Sequence, residues 1–351
     1  VNARHTITAL AITWTCVAPR RAHAQQVPAS DSTSAKSAIQ TALARRPGRF
    51  AFVSNEGSHD ISVIDIATAK MIALIPVGSR PRGIQASRDG RRVYVALSDD
   101  MPNEQGSGDA IAVIDVATRT LLSRYPVGTD PEQFAILPNG MVLYASNEDA
   151  GTLSAVDLAT RRVRATLVVG IEPEGVGASP DGRWVYATAE TSNSVSVIST
   201  ANNKVIANLL VDVRPRAVAF SPDGRRAYVT AEIGGSVSAI DTRRHRLVAT
   251  AKLGEGDEKP VGLVVSPDGK TVYVAGGASG RISVLDAATL RVATTIAVGK
   301  RPWGISLSPD GTRLYAANGL SNTVSVIDTG TNTVIATIGV GQRPWGIAIV
   351  R

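Results

Sequence analysis

Seven prolines, at positions 81, 131, 173, 215, 260, 302 and 344, stand between side chains suited to binding ions or stacking on rings. Just before them come Arg80, Asp130, Glu172, Arg214, Lys259, Arg301 and Arg343, and just after them Arg82, Glu132, Glu174, Arg216, Val261, Trp303 and Trp345. A third series, Glu56, Ser98, Glu148, Glu190, Glu232, Gly277 and Gly319, follows an aromatic residue by four positions in each unit. Guanidinium groups suit oxyanions, which they bind through paired N–H donors. Indole faces suit planar or cationic groups. The carboxylates of Asp130, Glu132, Glu148, Glu172, Glu174 and Glu190 have the oxygen chemistry of a Ca²⁺ site. Together these series predict two consecutive acidic units beside an arc of Arg or Lys that carries Trp303 and Trp345. Such a rim suits a ligand with an anionic part near Arg82, Arg216 and the arginines at 80, 214, 301 and 343, and a planar or apolar part over the indoles. The competing expectation is a network of rim salt bridges with the tryptophans as packing.

Catalytic chemistry has fewer carriers. The sequence holds no Cys-x-x-Cys-His, no Gly-rich phosphate loop and no nucleophile pattern around Ser or Cys, and it implies no cofactor. His245 falls in a turn and is expected to face solvent. His59, three residues beyond Glu56, is the candidate base for lyase or lactonase chemistry, with Glu56 beside it.

These residues belong to units that repeat. An aromatic residue ends or centres an apolar run at Phe52, Tyr94, Tyr144, Tyr186, Tyr228, Tyr273 and Tyr315, and the prolines keep the same intervals. Each unit holds four strand-like runs, as in 304–308, 313–317, 323–328 and 334–338, separated by turn sequences such as Ser308-Pro309-Asp310-Gly311. Four short antiparallel strands per repeat of about forty residues are the mark of a propeller blade. The sequence therefore predicts an all-β, seven-bladed β-propeller over 47–351. The first run, 50–54, is a second strand and the last, 346–350, is a first strand, so one blade is expected to draw on both termini and close the ring.

Asp65, Asp115, Asp157, Asp241, Asp286 and Asp328 end the third strand of six units. Aspartates recur again in the first turn, at 89, 181, 223, 268 and 310. A residue demanded by every blade is a turn-former; a residue demanded by one ligand need occur only once. The lengthened segments, 99–109 and 254–258, fall at the same end of the blades as the Arg, Glu and Trp series. That end is where a partner is expected.

The Tyr-Val-Thr of 228–230, the Val-Ser-Val-Ile-Asp of 324–328, the Val-Gly-x-Arg-Pro-x-Gly segments and Ser-Pro-Asp-Gly resemble the YVTN β-propeller repeat of YncE-like exported bacterial proteins. The resemblance covers about 47–351 and implies an exported binding or surface protein, with nucleic-acid affinity in some members and lyases, lactonases and cofactor enzymes on the same architecture. Three functions remain open from the residues: a non-catalytic binding propeller, a lyase or lactonase, and a single-stranded nucleic-acid binder using the tryptophans as platforms.

Hydrophobic residues make up 44% and charged residues 19% of the 351-residue chain, which suits a globular protein with a large core. The net charge of +7 is a weak pointer to a polyanion, because Arg4, Arg20 and Arg21 lie in a leader-like stretch without acids. In that stretch, 1–24, a basic start, an apolar run and Ala22-His23-Ala24 read as a secretory signal. Residues 25–46 read as a linker with a turn or two of helix near Ile39 and Leu43. The expected product is a periplasmic or secreted monomer with no membrane span. Its partner would be a small molecule, a protein or a polyanion. Cys16, the one cysteine, falls inside the signal, so no disulfide is expected.

Overall fold

The computed structural model describes residues 49–99, 108–255 and 257–350; the signal and linker expectations lie outside them. The described residues form seven four-stranded antiparallel sheets. Their innermost strands, β4 (Pro81–Ala86), β8 (Phe134–Ile136), β12 (Pro173–Ala178), β16 (Pro215–Phe220), β20 (Pro260–Val265), β24 (Pro302–Leu307) and β28 (Pro344–Val350), line one channel. The first blade joins β28 to β1 (Phe50–Asn55), β2 (Asp60–Asp65) and β3 (Lys70–Pro76). Phe50 pairs with Val350 and Val53 with Ile347, so the two ends of the chain close the ring as the strand order requires.

Burial explains why the sheets need one another. The second and third strands of each blade are buried on both faces, because a sheet stacks on either side of them. Seven apolar clusters result, one between each pair of neighbouring blades. In one of them Phe50, Phe52 and Val63 of the first blade pack on Val93, Val95 and Ile114 of the second. Tyrosine hydroxyls stitch some of these seams: Tyr228 donates to the Ala287 carbonyl at 2.8 Å, and Tyr186 meets His245 Nδ1 at 2.7 Å in the next blade. His245 is thus half-buried and engaged, against the expectation of a free surface histidine.

The repeated aspartates are turn-formers. Asp115 Oδ1 accepts the Thr118 amide at 2.8 Å, and Asp286 accepts that of Thr289 at 2.8 Å. In the first turn Asp223 accepts the Ser221 hydroxyl and the Arg225 amide. Gly224 follows in the left-handed region at φ 68°, which a residue with a Cβ enters at a cost.

Candidate functional site

A bulge aims the variable residues at the channel mouth. In the second blade Pro81 pairs with Leu97 and Ile84 with Val95, leaving Arg82 and Gly83 opposite a single residue. The same irregularity falls after Pro173, Pro215, Pro260 and Pro302, and bulges turn a side chain out of the sheet's alternation. The next position must be small. A Cβ on Gly304 would meet the Trp345 carbonyl oxygen at 2.4 Å, and one on Gly175 would collide with that of Arg216. Neighbouring inner strands can therefore approach closely, and they crowd the seven variable side chains together.

Hydroxyls on the second strands hold several of these positions. Ser146 Oγ donates to the Glu174 carbonyl at 2.9 Å, Thr188 Oγ1 to that of Arg216 at 3.1 Å, and Thr230 Oγ1 to that of Val261 at 2.6 Å. The third residue of Tyr228-Val229-Thr230 carried this signal in the sequence. Ala275 and Ala317 take its place in the blades that precede Trp303 and Trp345, so the carbonyls of the two tryptophans receive no such hydroxyl.

The mouth encloses a cavity of about 580 Å³ with two buried guanidinium clusters in its wall. Arg82 lies 3.3 Å from Glu56, 3.5 Å from Asp130 and 3.7 Å from Glu148, and it also contacts Glu132. Arg216 contacts Glu174 and Glu190 and lies 2.7 Å from Glu232. Burial works against the charge on Arg216, but these carboxylates more than offset it and hold the guanidinium above its usual range. Arg80 reaches Glu56 at 3.5 Å, Arg343 reaches it at 3.4 Å, and Arg214 pairs with Glu190 at 2.6 Å. The expected acidic quadrant and basic arc are thus interleaved: Asp130, Glu132 and Glu148 face Arg82 of the blade before them, and Glu174 and Glu190 face Arg216 of the blade after.

Burial, with the Asp130 carboxylate beside it, pushes the Glu148 carboxyl up to about 8. Burial likewise raises Glu174, opposed by Arg216 and reinforced by a hydrogen bond with Glu190. Asp130, Glu132 and Glu148 offer oxygens within 4.8 Å of one another, but the Arg82 guanidinium lies among them. That cation takes the place Ca²⁺ would need, so the set does not fit a Ca²⁺ site. Glu174 and Glu190 belong to the Arg216 cluster, and Glu172 is exposed and bonded to Thr191, so the six expected ligands do not converge.

The two tryptophans differ. Their rings lie 6.0 Å apart at 43°, but Trp345 is buried, with 7% of its surface exposed, whereas Trp303 is half-open to the cavity. The Arg301 guanidinium lies 4.6 Å from the Trp303 ring and that of Arg216 5.2 Å from it. Both expected indoles line the cavity, and Trp303 is the more open of the two. Lys259 is exposed and Val261 is buried in the seam beneath the mouth.

His59 lies at the mouth face but does not line the cavity. Its Nδ1 accepts the Arg80 amide at 3.2 Å. Asn193 and Asn322 accept the amides of Arg214 and Arg343 in the same way, and all three residues have positive φ. His59 caps a turn, and Glu56 is engaged by Arg80, Arg82 and Arg343.

Comparison with known proteins accords with this architecture. The family model described as Lactonase, 7-bladed beta-propeller matches residues 212–336. The chain is a seven-bladed β-propeller. Hydrazine synthase from Kuenenia stuttgartiensis is similar over 81% of this chain and 93% of its own, at 24% identity and a TM-score of 0.72. A candidate 6-phosphogluconolactonase from Bacteroides uniformis matches over 86% and 99%, at 21% identity and a TM-score of 0.71. A protein of unknown function from Desulfotomaculum acetoxidans matches over 86% and 99%, at 18% identity and a TM-score of 0.74. These likenesses speak for the propeller fold. No curated protein matches the sequence.

Proposed function

We propose that this propeller is an exported binding protein of the YVTN type whose mouth cavity takes a small anionic ligand. The ligand lays a planar or apolar part on Trp303 and sets its charge against Arg301 and Arg343. The observation that carries the reading is the contrast among the mouth cations. Arg82 and Arg216 are neutralised in buried carboxylate clusters, whereas Arg301 lies against the open Trp303 ring. Arg343 is 65% exposed, and its rim pair with Glu56 is weak enough to exchange for a ligand. Thermal-shift and tryptophan-fluorescence titrations with gluconate, benzoate and inorganic phosphate test the class. Trp303→Ala and Arg301→Ala should each weaken the best of these ligands by about tenfold or more. Unchanged titrations in both variants would reject the site.

A second reading, lactone hydrolysis, is favoured by Glu148 with its raised carboxyl in the cavity and by the lactonase match over 212–336. Water would add to the ring carbonyl, the ring C–O bond would break, and protonated Glu148 would give its proton to the departing oxygen. Asp130 would take the proton lost by the water. Base consumption with δ-gluconolactone above the spontaneous rate, abolished in Glu148→Gln, is the expected result under that reading. An unchanged rate in the variant removes Glu148 from the chemistry.

A further inference from the structure

We infer that the face opposite the mouth docks on an anionic lipid surface and so holds the mouth toward solvent. That face consists of the turns joining first to second and third to fourth strands. Its acids are folded back into their own turns: Asp181 accepts the Arg183 amide, and Asp241 accepts those of Arg243 and Arg244. The side chains of Arg183, Arg225 and Arg244 stay 73%, 75% and 66% exposed although each pairs with the aspartate of its own turn, at 2.6, 3.9 and 3.1 Å, and such exposed pairs are weak enough to exchange for a lipid headgroup. Arg243 is also exposed, so the fourth and fifth blades present a basic patch. At the mouth, by contrast, Arg82 and Arg216 are buried among carboxylates.

Charge alone would suit any polyanion; the apolar atoms choose among them. An exposed aliphatic stands at the start of the outermost strand, next to this face, in six blades: second in the strand at Met71, Leu121, Val163, Leu247 and Val334, and first at Val292. A basic residue precedes four of them, at Lys70, Arg162, Arg246 and Arg291. Met141, in a turn of the third blade, is 63% exposed on the same face. A collar of aliphatic groups edged by cations matches the boundary between headgroups and acyl chains, where apolar contact and attraction to anionic lipid act together. Single-stranded nucleic acid would call for open aromatic platforms. Trp184, the tryptophan of this face, packs edge-on against His245 at 4.6 Å. No helix among the described residues is long and apolar enough to cross a membrane.

Cosedimentation of the full chain with phosphatidylcholine vesicles, with and without phosphatidylglycerol, tests this. Binding should be roughly tenfold stronger or more with the anionic lipid and should fall as salt is raised. Combining Arg183→Glu, Arg225→Glu, Arg243→Glu and Arg244→Glu should abolish it. The four corresponding Arg→Lys changes should preserve it, because diffuse attraction needs charge rather than the fork of a guanidinium. Met141→Ser with Leu247→Ser should weaken it severalfold without altering the net charge. Melting curves identify any variant that fails to fold, and the Arg→Lys set then serves as the comparison. Equal affinity for neutral vesicles, no affinity for anionic vesicles at low salt, or indifference to the Glu substitutions would overturn the inference. Tighter binding of a single-stranded oligonucleotide through the same arginines would overturn it in favour of nucleic acid.

Discussion

Asp223 and Glu148 lie on opposite faces of the ring, and the protein holds them at opposite ends of the carboxylate range. Hydrogen bonds from the Ser221 hydroxyl and the Arg225 amide keep Asp223 below its usual value. Burial beside another carboxylate drives Glu148 up to about 8. The first arrangement recurs from blade to blade and is completed within five residues of chain, so it costs little and is copied. The second occurs at the mouth, at Glu148 and again at Glu174, and for Glu148 it depends on Arg82 and Asp130 arriving from other parts of the fold. Repetition here marks architecture, and a break in the repeat marks a place where the protein tolerates buried charge.

The harshest test of this division removes 344–350, the strand that closes the ring. The apolar seams on both sides of the first blade would open, and cooperative melting should be lost; a truncated chain that melts as the full one does would refute the closure. Arg216→Ala comes next. It leaves Glu174, Glu190 and Glu232 without their shared cation and should cost about 3–5 kcal/mol in denaturant titrations, with partial recovery when Glu174→Gln and Glu190→Gln are added. A neutral result would mean that the cluster is only a rim network.

The tryptophans sharpen the contrast at one repeat position. Trp345→Ala removes a buried ring and should cost about 3–5 kcal/mol, whereas half-open Trp303→Ala should cost clearly less and act mainly on ligand affinity. Equal losses would show that both indoles are packing.

Titration separates the two faces. Carboxyls lowered in the folded state, such as Asp223, contribute stability above their unfolded value of 3.8 and lose it as pH falls through the folded value. Glu148, raised from 4.5 to about 8, works the other way: the unfolded chain releases its proton first, so stability declines as pH rises between those limits. Melting temperature should therefore fall on both sides of a mildly acidic optimum, and Glu148→Gln should lessen the fall on the alkaline side alone, Glu174 keeping the remainder. A wild-type profile unchanged by that substitution would remove Glu148 as the cause. The smallest effect is expected for His59→Asn, which restores the residue found at 193 and 322. Stability should shift by less than ~0.5 kcal/mol, and any activity should survive. A large loss of activity would reinstate His59 as a base.

Much of this protein is determined by its sequence alone, because the information is local and repeated. The spacing of aromatics and prolines specifies seven blades, the offset between the first and last strand specifies closure, and Ser-Pro-Asp-Gly or a strand-ending Asp specifies most of the turns from neighbours a few residues away. The lining of the mouth was equally legible as a set of positions, since the residue after each proline inherits its place from the bulge. Only the tertiary structure decided what those side chains do. Arg82 and Glu132, or Arg216 and Glu174, are 50 and 42 residues apart, and their pairing depends on how neighbouring blades pack. The same packing buries Trp345 and leaves Trp303 half-open, although their local sequences, Arg-Pro-Trp-Gly, are identical. It also gives His59 the work of an asparagine. Exposure and charge compensation are properties of a seam between two blades, and no single repeat contains both of its sides.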